Sequence, residues 1–204
     1  MFDKGFSTYA LRQWVGAEPV SNLAHNGEIN AVQGNRNWTV ERSAKCDTTL
    51  ITDMEEVRPL DSMTGAESNS LDNMREAVLA GGMDIFRAMR LLVPPAWQNI
   101  EHMDADLRAF YEYNSMHMEA WDGPAGIVLT DGRHAACTLD RNGLRPARWV
   151  ITKTDAAATA EAGDYRDCVI TLVSEICVFD YAPEEVLAKG RLKPGQMLAA
   201  DTET

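Results

Sequence analysis

Hydrophobic and polar positions change rhythm twice along this 204-residue chain. Through the first quarter the apolar pattern is short and broken by Asn, Gly and other polar residues. From Ser70 to Asn114 it takes on helical spacing. Leu71, Met74 and Val78 recur at i, i+3 and i+7, with Ser70 as the N-cap and Gly81-Gly82 as the stop. A second helix opens at Asp84, whose carboxylate can accept from the orphan amides of its own first turn. It carries Ile85, Met89 and Leu92 on one stripe and ends at Pro94-Pro95. A third runs from about Asp104 to Asn114, with Leu107, Phe110 and Tyr111 facing inward.

After Met118 the pattern becomes that of strands. Gly126 to Thr130 predicts a buried strand, Asp131-Gly132 a hairpin turn and His134 to Leu139 its return. Asn142-Gly143 is a further turn, followed by a strand over Arg148 to Ile151. The Ala-rich stretch from Thr154 to Asp164 reads as a loop before the strand Cys168 to Val173. A short acidic helix over Pro183 to Ala188 and a last strand over Met197 to Ala200 follow. Helices segregated from a run of antiparallel strands predict an α+β fold with layered packing. No boundary divides residues 1–204, so a single domain is expected.

Composition narrows the partners more than the fold. Apolar residues make up 45% and charged residues 25%, the balance of an ordinary globular protein able to bury a core without staples. Nineteen Lys and Arg against thirty-one Asp and Glu leave a formal charge of −12. Such a surface repels phosphate backbones and anionic lipid, so neither nucleic acid nor membrane is expected as a partner. Apolar runs such as Ile127-Val128-Leu129 fall far short of the ~20 residues of a membrane span. Met1-Phe2-Asp3-Lys4-Gly5 contains no apolar stretch of the signal-peptide kind. A cytoplasmic protein is the expectation. Cys46, Cys137, Cys168 and Cys177 form no C-x-x-C pair, and the four histidines stand singly, so reduced thiols and no metal site are expected.

Chemistry first suggests itself in Ala24-His25-Asn26-Gly27-Glu28-Ile29-Asn30. On spacing alone Asn-Gly is a turn signal. The same dipeptide has a second reading. An Asn side-chain amide and the following Gly N–H can point at one spot, and two convergent neutral donors suit the oxyanion of acyl transfer. His25 reads as a packed or capping residue, because no nucleophile or orienting carboxylate stands beside it in the sequence. Arg141, Arg145 and Arg148, next to Asp140, read as a buried ion-pair corner rather than an anion site.

The strings Leu23 to Asn30 and Gly34-Asn35-Arg36-Asn37-Trp38 resemble the glutamine amidotransferase domain of the glutamate synthase large subunit. The resemblance continues through Ser70-Leu71-Asp72-Asn73, Ala88 to Trp97, Trp121-Asp122-Gly123-Pro124-Ala125, Leu139 to Arg148 and Lys189 to Gly195. It spans nearly the whole chain in the family's order.

What the resemblance implies is specific. The fold would be an N-terminal-nucleophile hydrolase sandwich of four αββα layers with antiparallel sheets, here partial. The family's nucleophile is a cysteine at the mature N-terminus, with the free α-amino group as its base. An α-amino group titrates near 7.7–8.0, close to working pH. The thiolate attacks the side-chain amide of glutamine, ammonia leaves, and water hydrolyses the thioester to glutamate. The ammonia then aminates 2-oxoglutarate at a distant site, with electrons from NAD(P)H arriving through FMN and an iron–sulfur cluster. Those cofactors belong to the full-length enzyme, and none is expected in this chain. Glutamine, the remainder of the large subunit and the small subunit are the implied partners.

Carried over residue by residue, Asn26 and Gly27 match the oxyanion-hole pair. Gly5 stands where the family has the Arg that grips the substrate carboxylate, so that fork is lost. Glu67 in Gly65-Ala66-Glu67-Ser68 stands where the family has the Asp that holds the substrate ammonium, one methylene longer. No cysteine here occupies the nucleophile position, which in the family lies upstream of the Phe6-Ser7-Thr8 string. The expectation is the amidotransferase portion of a glutamate synthase, truncated and inactive on its own. The rival is a catalytically dead binding or regulatory module.

Overall fold

A computed structural model describes residues 20–155, 163, 165–175 and 178–203. Its elements in chain order are β1 (Leu23–Gly27), α1 (Val32–Ser43), α2 (Glu67–Ala80), α3 (Ile85–Leu92) and α4 (Ala105–Ser115), then β2 (Ala125–Thr130), β3 (His134–Leu139) and β4 (Arg148–Thr152), and finally β5 (Val169–Val173), β6 (Val186–Arg191) and β7 (Met197–Asp201). The strands form two antiparallel sheets, ordered β1-β2-β3-β7 and β5-β4-β6. The α+β class is therefore as the sequence predicts.

Side-chain alternation sets the layers. On β2, Ile127 and Leu129 pack with Leu71, Met74, Ile85, Met89 and Leu92 of the helices. Between them Val128 faces the other way, into a smaller core with Cys137, Leu139, Ala147, Leu172 and Leu192. The first sheet thus carries helices on one face and the second sheet on the other, which is why β2 reads as a continuous apolar run. Helix, sheet and sheet make three layers among the described residues. The resemblance implied a fourth, helical layer, and none stands among those residues.

Local chemistry explains where the helices begin. Asp84 accepts from the N–H groups of Phe86 and Arg87, both at 3.0 Å, and Asp104 accepts from Leu107 N–H at 3.0 Å. Helix α2 starts earlier than the Ser70 expectation, at Glu67. Asn69 Oδ1 takes the N–H of Ala66 at 3.1 Å and closes the first turn, which leaves Ser70 inside the helix. On α4 the inward residue is Tyr111, while Leu107 is 42% exposed, contrary to its expected packing. The acidic helix expected over Pro183 to Ala188 is a single 3-10 turn, Pro183–Glu185, after which the chain enters β6. No described helix is long and apolar enough to cross a membrane.

Candidate functional site

Strand β1 forms one edge of the first sheet, with Asn26 opposite Gly126 and Gly27 opposite Ala125. Glu28 N–H donates to Pro124 O at 2.9 Å and Thr130 N–H to Asn22 O at 3.0 Å. In an antiparallel ladder the pairs that exchange hydrogen bonds alternate, so Asn26 and Gly126 are a bonded pair and Gly27 and Ala125 are not. Ala125 O instead accepts from Asp140 N–H, at 2.8 Å on the β3 side. The N–H of Gly27 therefore points outward, away from β2.

The side chain of Asn26 leaves the strand toward the second sheet. Its Nδ2 donates to Ser174 Oγ at 2.9 Å, just beyond the end of β5. One amide proton is taken by that bond, and the second has no acceptor among the described residues. Two N–H donors thus stand at one strand end, one in the plane of the sheet and one off its face. The sequence reading found Asn26 and Gly27 but not Ser174.

The string Trp121 to Ala125 is the backing of this strand end. A Cβ on Gly27 would lie 1.8 Å from Pro124 O, and one on Gly123 would lie 2.0 Å from Glu28 O. Only glycine permits both approaches. Ala31 N–H donates to Asp122 O at 3.1 Å, and Trp121 N–H to Leu92 O at 2.7 Å, which ties the backing to α3.

Asp140, 2% exposed, fixes the next turn. Its carboxylate accepts from the N–H groups of Ala125, Asn142, Leu144 and Arg145 at 3.0 to 3.3 Å. This corrects the expected ion-pair corner. Four backbone donors already occupy the carboxylate, so the neighbouring arginines turn elsewhere, Arg141 to Gln98 Oε1 at 3.2 Å.

Glu67 lies in the first turn of α2, on the helix side of β1. Its Oε1 is 3.8 Å from Nε2 of His25, whose side chain is 6% exposed. His25 is packed, as expected, but with a carboxylate beside it that the sequence did not reveal. By alternation His25 and Asn26 face opposite sides of the sheet, so Glu67 meets the face away from the Asn26 side chain. Arg36 holds this helix start, donating from Nε to Ser70 Oγ at 2.8 Å and from Nη2 to Gly65 O at 2.6 Å. Burial pushes the carboxyl of neighbouring Asp61 above its ordinary value, against the opposing pull of Ser70 and Arg36. Gly5 lies outside the described residues.

The described cysteines stand apart from Asn26. Cys137 lies in the core between the sheets, where burial pushes its thiol up to about 12. Cys168 precedes β5 while Ser174 follows it, a separation of roughly 20 Å along an extended strand. Cys46 lies past the far end of α1, beyond about 18 Å of helix. Cys177 is outside the described residues. Among those residues no group of three His, Cys, Asp or Glu is placed to hold a metal ion.

The family model for class II glutamine amidotransferases matches residues 1–204, and the chain belongs to that family. It is 39% identical over 199 residues to the glutamate synthase [NADPH] large chain of Bacillus subtilis (strain 168), covering 97% of this chain and 12% of that protein. The ferredoxin-dependent glutamate synthase of Antithamnion sp. is 37% identical over 204 residues, with 98% of this chain and 12% of the relative covered. The glutamate synthase [NADH] of Schizosaccharomyces pombe is 36% identical over 200 residues, with 97% and 9% covered. The chain thus spans about a tenth of the length of these relatives. Among solved structures, the glutamine phosphoribosylpyrophosphate amidotransferase of B. subtilis, complexed with ADP and GMP, aligns with 94% of this chain and 31% of its own at 15% identity and a TM-score of 0.46.

Proposed function

We propose that this chain is the part of a glutamate synthase that releases ammonia from glutamine, and that Asn26 and Gly27 form its oxyanion hole. The observation that supports this is the pair of N–H donors at the end of β1, one from the Gly27 backbone and one from the Asn26 amide. When a thiolate adds to the side-chain amide of glutamine, the carbonyl oxygen becomes an anion, and each preorganised donor lowers that barrier by roughly 2.7–4 kcal/mol. Ser174 acts as a positioning residue, holding the Asn26 amide so that its second proton is aimed at the oxygen. Collapse of the intermediate expels ammonia and leaves a thioester that water hydrolyses to glutamate.

The nucleophile belongs to a segment that none of the described cysteines supplies, and the chain by itself is expected to be inactive. Amination of 2-oxoglutarate, and the FMN, iron–sulfur and NAD(P)H chemistry that drives it, belong in this reading to the rest of the protein and to a small subunit. Purified and folded, as judged by circular dichroism, the chain should release no ammonia from glutamine. Release abolished by a cysteine-alkylating reagent would overturn the missing-nucleophile claim. In a polypeptide that joins this chain to a segment bearing the nucleophilic cysteine, Asn26→Ala should lower kcat by about 10²–10³ with little change in KM. An unchanged kcat would sink the oxyanion-hole assignment.

A second reading, a ligand-binding module without turnover, is favoured by one observation. The Glu67 carboxylate already has His25 as a neighbour at 3.8 Å instead of standing free for a substrate ammonium. Calorimetric titration with glutamine separates the two readings, since tight binding by the chain alone would favour the module.

A further inference from the structure

The turn after β3 and the ends of β4 and β6 enclose a groove of about 340 Å³, lined by residues 143–148 and 191–194. Its charged residues are Arg145, Arg148, Arg191 and Lys193. All are cationic, in a chain whose formal charge is −12. Arg148 and Arg191 stand directly opposite each other in the β4–β6 register. Like charges in that relation destabilise an antiparallel pair. No ion pair among the described residues relieves them.

The backbone beneath these cations is fixed. Arg145 N–H is held by Asp140, and Lys193 N–H by Gln196 Oε1 at 3.0 Å. Their charges are thus presented from two turns and two strands rather than gathered at one point. One small anion satisfies two or three donors at a point, whereas cations spread over four elements suit several carboxylates in a row. An apolar wall points the same way: Leu144 is 65% exposed at the groove and Pro194 is exposed beside it.

We propose that this groove is a docking site for a carboxylate-rich polypeptide segment, whose acidic side chains bridge Arg148 and Arg191 while its apolar side chains rest on Leu144. The charge conflict that the free chain tolerates is relieved when the segment's carboxylates enter between the two guanidinium groups.

The test uses the 204-residue chain and a fluorescein-labelled octapeptide of alternating Glu and Leu, followed by anisotropy. Saturable one-to-one binding that weakens as salt rises from about 50 to about 300 mM is expected. Arg191→Glu should weaken it roughly tenfold or more while leaving the thermal midpoint equal or higher, because Arg148 then gains an oppositely charged neighbour across the strands. Arg148→Gln, which removes one charge without reversing it, should weaken binding about threefold or more. No binding by the unmodified chain, equal affinity in both variants, or equal affinity for a Gln-Leu octapeptide would overturn the proposal. So would displacement of the peptide by inorganic phosphate at concentrations as low as those of the peptide itself, which would mark a small-anion site.

Discussion

Asn26 on the first sheet and Ser174 on the second are joined by a 2.9 Å hydrogen bond between side chains 148 residues apart. The orientation of the Asn26 amide is therefore set by how the two sheets meet, and not by its own strand alone. Ser174→Ala should lower stability by about 0.5–1.5 kcal/mol in denaturant unfolding. In a polypeptide supplied with the nucleophile it should also lower kcat severalfold at unchanged KM. Loss of stability without loss of kcat would reduce Ser174 to a purely structural tie.

Two glycines of similar sequence position should respond oppositely to alanine. Gly27→Ala places a methyl group 1.8 Å from Pro124 O, a backbone atom that cannot yield. It should cost about 3 kcal/mol or more, or prevent folding. Gly34 lies in α1 with nothing within 4 Å of its missing Cβ, so Gly34→Ala should stabilise by about 0.5–1 kcal/mol. Thermal midpoints of the two variants check both signs.

Acid should weaken the hairpin between β2 and β3. Desolvation raises the Asp131 carboxyl, but hydrogen bonds from the N–H and ring of His134 and the N–H of Arg133 outweigh it and hold the group down to about 2. Hydrogen bonds from the Arg133 side chain hold Asp201 at about 2 as well. Both sit below the ordinary 3.8. Their contribution is present above that value and is lost as pH falls from about 4 to about 2. Melting curves of the unmodified chain and Asp131→Asn should converge across that window. A constant gap down to pH 2 would contradict the assignment.

Asp61 has the opposite sign. Burial favours its neutral form, so the folded state is burdened as pH rises past 3.8, with the burden levelling off above the raised folded value. Asp61→Asn should therefore raise the thermal midpoint at pH 7, and the gain should vanish near pH 3. A lower midpoint at pH 7 would mean that attraction to Arg36 outweighs the desolvation.

The elements legible in the sequence are those whose apolar residues form one stripe or one unbroken run. Helix α3 buries one stripe, strands β2 and β3 show as short apolar runs set off by the Asp131-Gly132 turn, and Asp84 and Asp104 announce their helices. Helix α1 escaped notice because its buried residues are Asn35, Arg36 and Thr39, so it shows no apolar stripe. Strand β1 was hidden by His25-Asn26-Gly27, whose composition signals a turn and whose extended form comes from pairing with β2. Strand β6 was partly masked by Pro183-Glu184-Glu185, a good helix start that lasts one turn. At the candidate site, Asn26 and Gly27 were readable from a motif. Ser174, and the approach of Glu67 to His25, arise only when distant segments fold together.

The odd-and-even rule of a strand gives Gly27 a role beyond fitting a tight space. Sliding β1 by one residue along β2 would turn the Asn26 side chain down among the helices and aim the Gly27 amide into the sheet, erasing both donors at once. Such a slip would bring a side chain to the place of Gly27, against Pro124 O, where only a hydrogen fits. Gly27 thus works as a phase lock: it chooses between two ladders of similar backbone pairing, and only one of them spells out a site.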